Sequence, residues 1–346
     1  MSVVLSDAQF EKQFQARRRR LLMALPVLAC GLVVPTVQAK SDIHQASQVL
    51  MGTRLDLTLQ GSGNLDLAAA AAFSEMARLA DMMSRYRSTS VLNAINLAAG
   101  LQAVQVPPEM MRVLQMAQQA ARSSGGAFDA SVGAFKDWSF DAAHPALASA
   151  AQIAAQLPLV DSQGLILNHK AGTAYLSRRG MRLDLGGIAK LPILQAGLQT
   201  LQAHGVHNAM LNGGGDVLVN GNLNGRPWRV GLRDPRQPEQ ILGVVALNQG
   251  FVAASGDYER YFMHQGKRLH HILDPKTGYP TQGPHGLALV SHDIAAINGL
   301  GAAIMVAGVD AGRQRLSHLH QVDAMIVGAD QQLWLSSGMQ ARLGQA

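Results

Sequence analysis

Three short stretches gather residues whose types do chemistry. They are LDLGGIAK, Leu183 to Lys190; NGGGDV, Asn212 to Val217; and HHILDPKTGYP, His270 to Pro280. Consecutive glycines reach positive φ and let the backbone approach a bound group. Gly186 and Gly187 stand just before a predicted helix, whose first turn offers free N–H groups to an anion. Lys190 falls in that turn, where the helix dipole gives a cation nothing. A lysine there is accounted for if it faces a phosphate. The other reading is a tight strand-to-helix turn with a solvated lysine. Neither common phosphate fingerprint is present: no Gly-x-x-x-x-Gly-Lys-Ser/Thr occurs, and no Gly-x-Gly-x-x-Gly follows a strand. Gly213 to Gly215, followed by Asp216, carry two readings as well: a bend between strands, or a backbone platform under a flat ligand. Asp274-Pro275-Lys276-Thr277-Gly278 is turn chemistry throughout. His271 stands just before it, a candidate for proton transfer beside a glycine-rich, acidic cleft.

These residues need elements to position them. Gln48 to Gly61 alternates apolar and polar residues and predicts an opening strand. Leu65 to Arg85 has helical spacing, with Asp66 in the first turn. Ser88 to Asn96 is polar and turn-like. Pro107-Pro108 opens a helix to about Arg122, stopped by Ser123 to Gly126. Pro145 to Leu157 predicts a short helix on an insertion, and Leu165–Leu167 with Thr173–Leu176 a hairpin. Lys190 to Gln202 is helical, ended by His204-Gly205. Asn208–Leu211 and Val217–Asn220 are strands around the second glycine run. Further strands fall at Trp228–Leu232, Ile241–Leu247 and Phe251–Ala254. Asn298 to Val306 is a helix of small residues, and Asp323–Val327 with Gln332–Leu335 a closing hairpin. No repeat or long linker divides the chain. The expected fold class is α+β, one domain over residues 40–346.

Composition narrows the function. The chain has 346 residues, 48% hydrophobic and 15% charged, which suits a packed globular protein. Its net charge of +6 is concentrated in the block Arg17 to Arg20, and the remainder is roughly neutral. Nothing here points to nucleic acid. The single cysteine, Cys30, excludes an internal disulfide. The basic block leads into a 14-residue apolar run, Leu21 to Val34, then Pro35 and the small-residue site Val37-Gln38-Ala39. That is the layout of a signal peptide over residues 1–39. The run is short for a membrane span of ~20 residues. Arg19-Arg20-Leu21-Leu22 also fits twin-arginine export, an ordinary Sec signal being the alternative. Val27-Leu28-Ala29-Cys30 loosely matches a lipid-attachment site. The expected location is the periplasm, free or lipid-anchored, peripheral to the membrane at most.

LMGTRLDL, GGAFDASVG, LDLGGIAK, NGGGDV, ASGDYERYF and HHILDPKTGYP occur in the order and spacing of the ApbE family. From about Gln48 to Gly328 the chain resembles its exported FAD:protein FMN transferases. The resemblance implies one α+β, T-fold-related domain with FAD in a cleft and Mg²⁺ on the FAD diphosphate. It implies transfer of FMN from FAD to a threonine hydroxyl of an acceptor flavoprotein of a membrane redox complex, with release of AMP. Carried over by position, Met51, Tyr86, Ala127, Phe128, Asp129, Asp184, Lys190 and Ile272 hold FAD. The catalytic residues the resemblance implies are His271, facing the reacting end as proton acceptor, and Asp257, near the flavin.

The metal positions depart from the family. Its cation is held by a carbonyl in the DLGG turn, Gly187 here, and by an aspartate and a threonine four residues apart. Those two positions are Asn298 and Ala302. Magnesium prefers charged oxygen ligands; an amide oxygen is weaker and a methyl group is none. Leu191-Pro192 also replaces the usual glycine and aromatic residue after the lysine. The resemblance thus leaves three activities: a transferase with a weak metal site, a FAD carrier, or a FAD pyrophosphatase.

Overall fold

The structure is a computed structural model that describes residues 2–4, 42–141 and 143–344. The expected signal peptide, from its basic block to Ala39, and Cys30 lie outside the described residues. Its frame is an eight-stranded antiparallel sheet. Strand order across it is Leu333–Leu335, Asp323–Val327, Gly286–Ser291, Gln249–Gly256, Asp216–Asn220, Asn208–Gly213, Thr53–Gly61 and Asp42–Leu50.

Side chains alternate across a strand, and here each alternate set meets its own core. Leu55, Leu57, Leu59, Leu211, Leu218, Leu287 and Leu289 face the helices Leu65–Met82, Pro108–Ser123, Lys190–Ala203 and Leu300–Ala307. Each fully buried leucine contributes ~1.5–3 kcal/mol. Met210, Val217, Val219, Val252, Ala288 and Val290 face the opposite way, onto Trp228, Val230, Leu232, Val245 and Leu247. Those residues belong to a second sheet in which Trp228–Arg233 lies between Ser2–Val4 and Ile241–Leu247. Helices Leu65–Met82 and Lys190–Ala203 pack closely because Gly197 has no side chain: a Cβ there would lie 2.5 Å from Met76 Sδ.

Several boundaries differ from the sequence reading. The stretch Gln48 to Gly61 is a hairpin, Asp42–Leu50 with Thr53–Gly61, turned at Met51 and Gly52 with φ 55° and 71°. Ser88 to Asn96 is largely helical: Ser90 caps a helix Val91–Leu97 by accepting the Asn93 N–H. Gly286–Ser291 was not anticipated, because it is buried on both faces and shows no alternation. The hairpin of Tyr261–His264 with Lys267–His270 was also missed. The helix expected over Asn298 to Val306 forms, but starts two residues late. A short helix Ile294–Ile297 ends at Asn298, Gly299 takes φ 78°, and a new helix runs Leu300–Ala307. The other predicted helices and hairpins form within a few residues of expectation.

Candidate functional site

The DLGG turn is built by hydrogen bonds from elements far away in sequence. Asn96 clamps Leu183: its Oδ1 accepts the Leu183 N–H at 2.7 Å, and its Nδ2 donates to the Leu183 carbonyl at 3.1 Å. The Asp184 N–H donates to the Ala130 carbonyl at 2.7 Å. The Asp184 side chain then shapes the turn. Its Oδ1 accepts the Gly186 N–H at 2.8 Å, and its Oδ2 accepts from Arg85 Nη1 at 2.6 Å. Phe128 is buried beneath, 3.3 Å from where a Cβ on Gly187 would stand. The turn thus has a firm floor and two glycines without side chains above it, with the Gly186, Ile188 and Ala189 N–H groups bonded within the turn itself.

Lys190, at the start of the following helix, is partly exposed but does not stand free in solvent. Its Nζ lies 2.8 Å from Asp216 Oδ2. Burial works against its charge, yet Asp216 outweighs that and raises its pKa. The second glycine run is what delivers Asp216. Gly214 and Gly215 take φ 64° and 95° in a tight turn between Asn208–Gly213 and Asp216–Asn220. The bend reading therefore holds over the platform reading. Asp216 Oδ1 also accepts the Ala254 N–H at 3.0 Å, which fixes the carboxylate.

His271 follows the Lys267–His270 strand. Its N–H donates to the Arg260 carbonyl at 3.1 Å, and its Nδ1 lies 3.3 Å from that carbonyl. That contact puts the ring proton on Nδ1 and leaves the Nε2 lone pair without a partner among the described residues. Burial, with Arg260 and His270 adding to it, pushes the His271 pKa down to about 3. The ring is neutral at physiological pH. Lys190 lies near enough to contribute to this depression. Arg260 itself has no ion-pair partner among the described residues.

Tyr86 is 73% exposed, so it is not a core residue; the Arg85 guanidinium carbon sits 5.1 Å from its ring centroid. Met51, Ala127 and Ile272 are partly buried against the helical core. Ile272 is held by its carbonyl, which accepts the Thr281 N–H at 3.0 Å.

Two expected site residues have other work. Asp129 Oδ1 accepts from Ser131 N at 2.8 Å and Ser131 Oγ at 2.6 Å, and Oδ2 accepts from Ser162 N at 2.9 Å. Its carboxylate fastens two loops, the one at Ser131 and the one at Ser162. Asp257, expected to be catalytic, is gripped by Arg236 at 2.7 and 2.6 Å and by Arg268 at 3.1 Å, with His285 Nδ1 at 3.4 Å. Burial opposes its charge, but these cations prevail and lower its pKa. A carboxylate so engaged anchors the strand end in its charged form. Conversely, Arg85, Asp216 and Arg260 belong to the site but were not assigned. Arg85 adjoins Tyr86 and Arg260 lies within the ASGDYERYF stretch, yet nothing in the sequence told either from a surface arginine.

The metal positions do not fit a protein-held magnesium ion. Asn298 is buried, and its Nδ2 donates to the Ile188 carbonyl at 2.8 Å. Ala302 offers no donor atom. Both oxygens of Asp184 are occupied. Among the described residues, no three His, Cys, Asp or Glu side chains converge on a metal position.

The ApbE family model matches residues 51–326. A FAD:protein FMN transferase of Klebsiella pneumoniae is 32% identical over 303 residues, covering 87% of this chain and 94% of the relative. One from Rhodobacter capsulatus is 34% identical over 256 residues, 73% of this chain and 48% of the relative. Among solved structures, the ApbE protein of Thermotoga maritima superposes with a TM-score of 0.81 at 28% identity, covering 87% of this chain and 99% of its own. The flavin transferase ApbE of Vibrio cholerae shares the fold, with a TM-score of 0.77 at 22% identity over 88% of this chain and 100% of its own.

Proposed function

The chain belongs to the ApbE family, and from that premise we propose that it transfers FMN from FAD to a threonine hydroxyl of an acceptor flavoprotein, releasing AMP. One observation carries the reading. A neutral imidazole, whose Nε2 has no partner among the described residues, lies near the Lys190–Asp216 pair and near Arg260, which has no ion-pair partner among the described residues. In the reaction, the acceptor oxygen attacks the FMN-side phosphorus. A phosphorus–oxygen bond forms there as the bridging bond to AMP breaks. The hydroxyl proton passes to His271 Nε2, and AMP departs with the bonding electrons on its phosphate. Phosphoryl transfer depends chiefly on positioning and on positive charge around the transferring group. Lys190 and Arg260 supply that charge. The same cations depress the basicity of His271 in the free protein, and an anionic diphosphate bound between them restores it.

The basic block and apolar run at the N-terminus support export to the periplasm, with the acceptor a subunit of a membrane redox complex. The test mixes the purified protein with FAD and an acceptor domain bearing a target threonine. In-gel flavin fluorescence then reports the acceptor, and chromatography reports AMP. The expected outcome is a labelled acceptor with stoichiometric AMP, slowed ~10²-fold or more by His271→Ala. Bound FAD with neither label nor AMP would make the protein a flavin carrier. FMN and AMP formed without acceptor would make it a FAD pyrophosphatase.

A further inference from the structure

We infer that this chain closes its diphosphate-facing turn with an amide hydrogen bond where its relatives' pattern calls for a divalent cation, and that it binds FAD without metal. The inference rests on the reading that FAD lies against this turn. A cation that bridges two segments needs lone pairs converging from both. Here Asn298 presents a donor: Nδ2 bonds the Ile188 carbonyl at 2.8 Å, at a site only 8% exposed. The N–H occupies a lone pair of the Ile188 carbonyl, one residue beyond Gly187, and ties the Asn298 segment to the turn without a cation. An aspartate at 298 would instead set two acceptors against each other, an arrangement stable only with a cation between them.

The surrounding backbone is fitted to this contact. Gly299, at φ 78°, turns the chain sharply after Asn298, and a Cβ there would lie 2.9 Å from Ala120 Cβ and 3.1 Å from Ile188 Cδ1. Ala302 sits partly buried against the helical core, giving apolar contact and no ligand. The work of a metal in this reaction is charge neutralisation, and Lys190 and Arg260 already stand beside His271. The hydrogen bond covers the other role, joining the Asn298 segment to the turn.

Two measurements on the purified protein test this. FAD affinity, read by flavin fluorescence quenching in EDTA and in MgCl₂, is expected to agree within ~2-fold, a difference under ~0.5 kcal/mol. A loss of ~10-fold or more in EDTA overturns the inference. In the second, melting temperature is followed with and without MnCl₂. The wild type is expected to be indifferent. Asn298→Asp/Ala302→Thr is expected to melt lower in EDTA and to recover when Mn²⁺ is added. A wild-type melting temperature that rises with saturable Mn²⁺ dependence overturns the inference, whether or not the variant folds. Failure of FAD to bind in either buffer would refute the proposed function, while the melting arm would still decide the metal question.

Discussion

At the scale of single residues, the site is a set of groups whose partners dictate what each can do. Lys190 and Asp184 were legible because a lysine in a first helical turn and an acid before paired glycines are unusual placements. Their partners were not. Asp216 and Arg85 reach them across 26 and 99 residues, and no local pattern announces a contact of that kind. Tyr86 makes the clearest residue-scale prediction. At 73% exposure it contributes little to folding, so Tyr86→Ala should leave the melting temperature unchanged. If its ring lies against FAD, the same substitution weakens flavin affinity by ~0.5–1.5 kcal/mol, roughly 2- to 12-fold. Paired fluorescence titration and calorimetry would check this, and a fall in stability with unchanged affinity would place Tyr86 in the scaffold.

At the scale of elements, the surprises came where backbone conformation, not hydrophobic pattern, decides. Met51 and Gly52 fold an alternating stretch back on itself through two positive φ angles, although the alternation reads continuously through the turn. Gly299 sets where the helix of small residues begins, two residues later than the pattern reads. Its φ of 78° and the 2.9 Å approach of Ala120 Cβ make it intolerant of a side chain. Gly299→Ala should cost ~2–4 kcal/mol, combining a left-handed penalty with overpacking. It should also loosen the Asn298 contact to Ile188, lowering FAD affinity. Thermal melting and a flavin titration on the variant would report both effects. Unaltered stability would mean that the segment relaxes easily and that Asn298 is not fixed by it.

At the scale of the whole molecule, one buried and two half-buried imidazoles couple folding to pH. His270, His271 and His285 all have pKa values lowered, burial being the leading cause in each. A depressed native pKa means that the unfolded chain takes up protons first. Stability from these groups is complete above about 6.5, the ordinary histidine value, and for His271 it drains away as pH falls toward about 3. The melting temperature should therefore fall between neutral pH and pH ~5, with His271→Gln flattening that decline. Melting curves across this range decide it: a variant as acid-sensitive as the wild type would show that His271 is not held neutral by the fold.

The sequence alone determined the α+β class, most helices and hairpins, and the principal stretches of the site. Those depend on hydrophobic period, proline and glycine placement and ordered short motifs, all local properties of the chain. It also exposed the missing metal ligands, since the identities of Asn298 and Ala302 are simply read. Only the tertiary structure decided what each charged or polar group touches. It set Asp129 and Asp257 to fastening neighbouring segments, joined Lys190 to Asp216, turned His271 Nδ1 toward the Arg260 carbonyl, and set the Asn298 amide on the Ile188 carbonyl. A carboxylate's chemistry is fixed by the donors around it, and those donors arrive only when distant segments pack together.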